Sequence, residues 1–117
     1  MAQAHADPAR PSLGPPLTVY VDDWRQRATV RDRTDRWSHL LADDPEELHA
    51  MAAALGIGPR GYQRHRRSAA LNHYDVPEAL RRRAIELGAV AVTWRDMARL
   101  TRAWRRAGVR PGRPDPP

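Results

Sequence analysis

The stretch DVPEALRRRAIELGAVAVTWRD, residues 75–96, decides the fold. Asp75 with Glu78 three positions on has the chemistry of a helix start, and Pro77 falls in the first turn, where a missing N–H costs nothing. Val76, Leu80, Ala84 and Leu87 then recur at helical spacing, and Gly88 supplies the stop. Ala89 to Val92 is apolar and too short for a helix, so it reads as a buried strand. Thr93 with Asp96 opens the next helix. Helix, short strand and helix in so few residues predict an α/β layer.

The last helix places Trp94, Met97, Leu100, Thr101 and Trp104 on one face and ends at Gly108. Upstream, Asp44-Pro45-Glu46-Glu47 gives an N-cap, a Pro at the first helical position and a Glu at the third. Leu48, Met51, Ala52 and Leu55 follow at helical spacing before Gly56. A weak strand at Gly61 to Gln63 separates these helices. Leu17 to Val21, Ala28 to Arg31 and Trp37 to Leu41 read as three strands, the last two joined by the polar stretch 32–36. A meander of three strands reverses twice, which predicts that the first and third run parallel and only the second is antiparallel. The expected fold is therefore α/β, a single domain over residues 17–107, with about three helices on a small, mixed, mostly parallel sheet. The Pro-rich ends, 1–16 and 108–117, are expected to be disordered tails. Leu80 and Met97 are expected core positions, each intolerant of Asp.

A chain of 117 residues with 41% hydrophobic and 29% charged residues and a mean hydropathy of -0.74 is too short for a two-domain enzyme and too polar for a membrane span. Without cysteine it has no disulfide, no thiolate nucleophile and no sulfur-ligated zinc. Met1 to Pro16 holds no apolar run of the signal-peptide kind, so cytoplasmic residence, with no membrane partner, is the expectation. All the basic residues are Arg, a bias that discounts the net charge of +6 as a nucleic-acid signal. Its distribution still matters, because residues 17–60 hold six Arg against eight acids and residues 61–117 hold thirteen Arg against five.

Gly56-Ile57-Gly58-Pro59-Arg60-Gly61 spells a dinucleotide-type glycine loop, but a helix precedes it and Pro59 interrupts it, so it reads as a helix stop and turn. A parallel sheet would gather polar groups beyond its strand ends: Asp22 and Asp23, Asp43 and Asp44, and Trp94-Arg95-Asp96. His73 and Asp75, two apart in an extended segment, point the same way, and His39 lies on the third strand beside Trp37. Carboxylates and imidazoles without thiolates suit a divalent cation such as Mg²⁺ or Mn²⁺. In that arrangement Asp22 and Asp75 hold the metal with His73, and His39 with His73 supplies the catalytic imidazoles. Against this, Asp44 and Asp75 have work enough as helix caps, and a histidine beside a strand tryptophan is commonly a half-buried packing residue. Arg95, Arg99, Arg102 and Arg106, on the outer face of the last helix, together with Arg81 and Arg82, form a candidate phosphate-tracking surface. The leading expectation is binding of nucleic acid or another phosphorylated ligand. The alternatives are a metal-dependent, nuclease-like phosphoester hydrolase and a protein-interaction subunit without catalysis. Whether the chain is an enzyme, and its oligomeric state, stay open at this point.

Tyr20-Val21-Asp22, Trp37-Ser38-His39-Leu40, Glu46-Glu47-Leu48-His49, His73-Tyr74-Asp75-Val76 and Gly88-Ala89-Val90-Ala91-Val92-Thr93-Trp94, in this order, resemble the bacterial and phage family called domain of unknown function 4031. The resemblance covers about residues 17–97. It implies a recurring cytoplasmic module, transfers no catalytic residues, and points to the same shortlist of Asp22, His39, His73 and Asp75.

Overall fold

The computed structural model describes residues 18–108; the expected tail 1–16, Leu17 of the expected first strand, and residues 109–117 of the expected tail 108–117 lie outside the described residues. The elements are β1 (Val19–Val21), β2 (Gln26–Val30), β3 (Arg33–Ala42), α1 (Pro45–Ala54), β4 (Tyr62–Gln63), β5 (His73–Pro77), α2 (Glu78–Glu86), β6 (Val90–Ala91) and α3 (Trp94–Ala107). Among the described residues, six strands make one mixed sheet in the order β4-β5-β3-β1-β6, with β2 also paired to β3. The α/β class and the three helices are as the sequence predicts.

The sheet is mostly antiparallel, which corrects the expectation of a mostly parallel one. Among the described residues only β1 and β6 run parallel; β1, β2 and β5 are all antiparallel to β3, and β4 is antiparallel to β5. The reason is that the chain reverses once, not twice, before α1. The residues taken as a polar connection, 33–36, are extended and paired with β2, and the reversal is confined to Arg31 and Asp32, both at positive φ (44° and 68°). Positive φ at both central residues is what a two-residue hairpin turn demands. Consequently β1 and β2 are successive stretches of one hairpin arm. The first pairs Val19 with Ala42, and the second pairs Gln26 with Trp37.

Between them the arm carries a wide bulge. Asp22 still bonds across to His39 (amide to carbonyl, 3.1 Å), and pairing resumes only at Gln26 and Trp37, so Asp23, Trp24 and Arg25 stand opposite Ser38 alone. Arg25 adopts φ 47° and donates its amide to the Ser38 hydroxyl (3.1 Å). Extra residues on one strand bend it and re-aim its side chains.

Strand alternation divides the core between the two sheet faces. On one, Val21, Leu40, Tyr74 and Val76 pack with Leu48 and Ala52 of α1 and Ala84 of α2. On the other, Leu41 packs with Met97 and Trp104 of α3 and with Ala70, flanked by Tyr20, Val92 and Leu100. The result is three layers, helices covering both faces of the sheet.

The caps behave as local chemistry dictates at α1 and α3: Asp44 accepts from the Glu46 amide (3.2 Å), and the Thr93 hydroxyl accepts from the Asp96 amide (3.0 Å). At α2 they do not. The helix starts at Glu78 behind an extended Pro77, and Asp75 with Val76 belongs to β5, so Asp75 caps nothing. Pairing with β3 (His39 opposite Asp75, Trp37 opposite Pro77) outweighs the local helix-start signal. Trp94 and the strand β6 also depart from expectation, since Trp94 is 47% exposed beneath the Arg95 guanidinium and Val90 on the sheet edge is 45% exposed. No helix among the described residues is long and apolar enough to cross a membrane.

Candidate metal centre

Alternation along β5 sends His73 and Asp75 to the sheet face that α3 covers, and the register sets His39 of β3 beside Asp75. Asp22, at the mouth of the bulge, reaches His39 from the other edge of β3. Its Oδ1 accepts from the amides of His39 (2.9 Å) and Trp24 (3.2 Å), and its Oδ2 lies 2.7 Å from His39 Nδ1. The Asp22 side chain is buried, at 2% exposure, with both oxygens committed. It therefore fixes the His39 ring with Nδ1–H inward and leaves Nε2 as the free nitrogen.

His73 is anchored by the same logic. Its Nδ1 donates to the Leu71 carbonyl (2.9 Å), and its Nε2 faces Asp75 Oδ1 (3.1 Å). The His39 and His73 rings meet edge to face at 5.1 Å, and the Trp24 indole, thrown out by the bulge, lies 5.0 Å from His39. His39, His73 and Asp75 each offer a ligand atom, and these atoms all lie within 4.8 Å of one another.

Both groups of the His73–Asp75 pair are shifted. Burial works against the His73 imidazolium, but the Asp75 hydrogen bond, the Leu71 carbonyl and the charges of Asp75 and Asp22 outweigh it, so its pKa is raised. For Asp75, burial pushes upward, and the His73 hydrogen bond with the charges of His73, His39 and Arg31 outweighs that, so its pKa is lowered. A raised histidine contributes stability below its unfolded pKa of about 6.5 and loses it as pH climbs through the folded value. A lowered aspartate contributes above about 3.9 and loses it as pH falls through its folded value. The metal-free protein is accordingly expected to gain most from this pair between about pH 4 and pH 6.5. Urea melts of wild type and His73→Gln check this: their stability difference should shrink from pH 6 to pH 9, and a constant difference would show that the pair contributes nothing through ionisation.

Other expected rim residues lie elsewhere. Asp43 accepts from the Thr18 amide (3.1 Å) at the far end of β3, Asp44 caps α1, and Asp23 accepts from the Trp94 amide (2.7 Å) at the start of α3. Antiparallel pairing puts the end of β3 next to the start of β1, so Asp43 and Asp44 do not share a rim with Asp22, whereas the parallel strands β1 and β6 do bring Asp23 and Trp94 together. The arginines are also divided. Arg81 donates to the Asp22 carbonyl (2.8 Å) and Arg82 lies 3.8 Å from Glu78, both on α2, whereas Arg95, Arg99, Arg102 and Arg106 are exposed on α3, across the sheet. Trp24 and the Leu71 carbonyl escaped the sequence reading. The only signal for Trp24 is the break in alternation at residues 22–25.

The model of the family described as "Protein of unknown function (DUF4031)" matches residues 19–104, from the first residue of β1 to the last turns of α3. No curated protein and no solved structure matches the chain. The family match spans every strand and helix that builds the His39, His73 and Asp75 cluster, and the chain belongs to the DUF4031 family of proteins of unknown function.

Proposed function

We propose that His39, His73 and Asp75 bind a divalent cation and that the centre hydrolyses phosphoesters. The observation carrying this reading is that both imidazoles are tied through Nδ1, one to a carboxylate and one to a carbonyl, with a third ligand atom in reach. Metal-binding histidines are held in this way, the outer partner fixing tautomer and ring orientation. Two imidazoles and one carboxylate suit Zn²⁺ or Mn²⁺ better than the oxygen-seeking Mg²⁺. In this reading Asp22 positions His39 and is not itself a ligand, because its oxygens are already occupied.

His39, His73 and Asp75 would hold the cation, which would supply polarisation of a phosphoryl oxygen and activation of a water. In such a hydrolysis a water oxygen would bond to phosphorus as the ester P–O bond breaks, and the proton lost by the water would pass to the leaving oxygen. An anionic substrate is favoured because the exposed arginines of α3 lie on the same side of the sheet as the cluster. Trp24 beside His39 offers a flat apolar wall next to the centre.

After chelation, excess Zn²⁺ or Mn²⁺ should raise the melting temperature by roughly 10 °C at a hundred times Kd. The loaded protein should also release p-nitrophenol from bis(p-nitrophenyl) phosphate. Melting indifferent to every cation would refute the centre; a thermal shift without cleavage of any phosphoester would keep the centre and refute the chemistry. A second reading, nucleic-acid binding without cleavage, is favoured by the exposed row Arg95, Arg99, Arg102 and Arg106. It requires duplex affinity that falls steeply with salt and survives chelation.

A further inference from the structure

On the opposite side of the sheet, where α1 meets the edge strand β4, lies a cavity of about 520 Å³ lined by His49, Tyr62, Arg64, Arg66, Arg67 and Ser68, among others. A smaller hollow of about 360 Å³ adjoins it, sharing His49, Tyr62 and Arg64 and continuing along Ala53, Ile57 and Tyr74. Volumes of this order are those of small-ligand pockets.

The polar part is built on a pinned turn. His65 donates its amide to the Asn72 side chain (2.7 Å), and its Nδ1 accepts the amides of Arg67 and Ser68 (3.2 Å each), which fixes the backbone carrying the three guanidiniums. Among the described residues, Arg64, Arg66 and Arg67 make no ion pair with any acid, a state they share with Arg27, Arg102 and Arg106, but Arg64, Arg66 and Arg67 lie together along one cavity. Arg64 instead stands 5.7 Å over the Tyr62 ring. The apolar part is equally organised. The buried Tyr74 hydroxyl bonds to His49 Nδ1 (2.7 Å), and His49, Tyr62 and Tyr74 form a triad of rings with centroids 4.6 to 5.8 Å apart. With the hydroxyl donating, His49 keeps Nε2–H as a donor.

The geometry points to a second ligand site, separate from the metal centre: the pocket between α1 and the 64–68 turn binds a phosphate monoester that carries a planar ring, a nucleotide in chemical class. Three guanidiniums on a fixed turn match a phosphate's oxygens. The Arg64 guanidinium lies over the Tyr62 ring, so a heterocycle stacks on that planar cation or takes its place on the ring, beside the apolar Ala53 and Ile57. Neither half alone explains why a positively charged turn opens onto an aromatic hollow.

Adenosine 5′-monophosphate is the probe, titrated by calorimetry into the full chain with chelator present so that the metal centre takes no part. Binding should exceed that of adenosine or inorganic phosphate, and Arg66→Ser/Arg67→Ser should weaken it by roughly tenfold or more. His73→Ala should leave it unchanged. Both arginines are exposed, so the double variant should keep its melting temperature, and Tyr62→Leu gives an independent loss from the ring side. No binding at millimolar concentration, equal affinity for adenosine, indifference to the double variant, or loss in His73→Ala would each overturn the proposal.

Discussion

Replacing Asp22 by Ala is expected to damage stability and metal binding together. The change strands three donors, the His39 and Trp24 amides and His39 Nδ1–H, in a place where Asp22 itself is buried. A buried donor without a partner costs about 1–3 kcal/mol, so a loss of about 3–5 kcal/mol is expected after partial rescue by water. That is a large share of the roughly 5–15 kcal/mol that holds a domain together. The same change frees the His39 ring to rotate, and loss of such an outer partner lowers metal affinity by about 10–100-fold. Asp22→Asn separates the two effects. Its amide oxygen can still serve the backbone donors, so stability should recover in part, while the charged partner of Nδ1–H is lost. Urea melts and zinc titrations on both variants check this. Asp22→Ala within 1 kcal/mol of wild type and with unchanged affinity would show that Asp22 supports neither the bulge nor the ring.

Met97→Asp is expected to abolish the cooperative fold. Met97 is 4% exposed on the α3 face, against Leu41, Ala70 and Trp104. An unpaired carboxylate there loses its hydration with no cation to meet it, a penalty of several kcal/mol added to the lost packing. Spacing alone assigned Leu80 the same sensitivity, but Leu80 is only half-buried on α2. A carboxylate placed there can turn to water, so Leu80→Asp should keep a transition with a lowered midpoint. Circular dichroism melts distinguish the pair, and equal behaviour would contradict the assignment of faces.

The elements that the sequence announces clearly are those whose chemistry is local. Asp44 and Thr93 cap as expected because a side chain two or three residues from its target needs nothing else to be folded. Asp75 carried the same local signal and lies in β5, because pairing with β3 is a long-range term that no window of sequence contains. Strand direction failed for a related reason. The break at residues 22–25 has the polarity of a turn, but it is a bulge, and whether the chain reverses there depends on what Ser38 and His39 hold on the neighbouring strand. The shortlist Asp22, His39, His73 and Asp75 was legible from residue type and spacing, and the four side chains do meet. They meet through antiparallel register and the bulge, however, not at the ends of co-directional strands.

In the proposed centre two imidazoles present Nε2 to one cation while their Nδ1–H groups stay tied to Asp22 and Leu71. Long-range proton–nitrogen correlation spectra of the imidazole rings, recorded with and without Zn²⁺, test it directly. On adding one equivalent of zinc, the Nε2 resonances of His39 and His73 are expected to move to the metal-bound range, with Nδ1 protonated on both rings throughout. Coordination through Nδ1, or spectra unchanged by zinc, would contradict it.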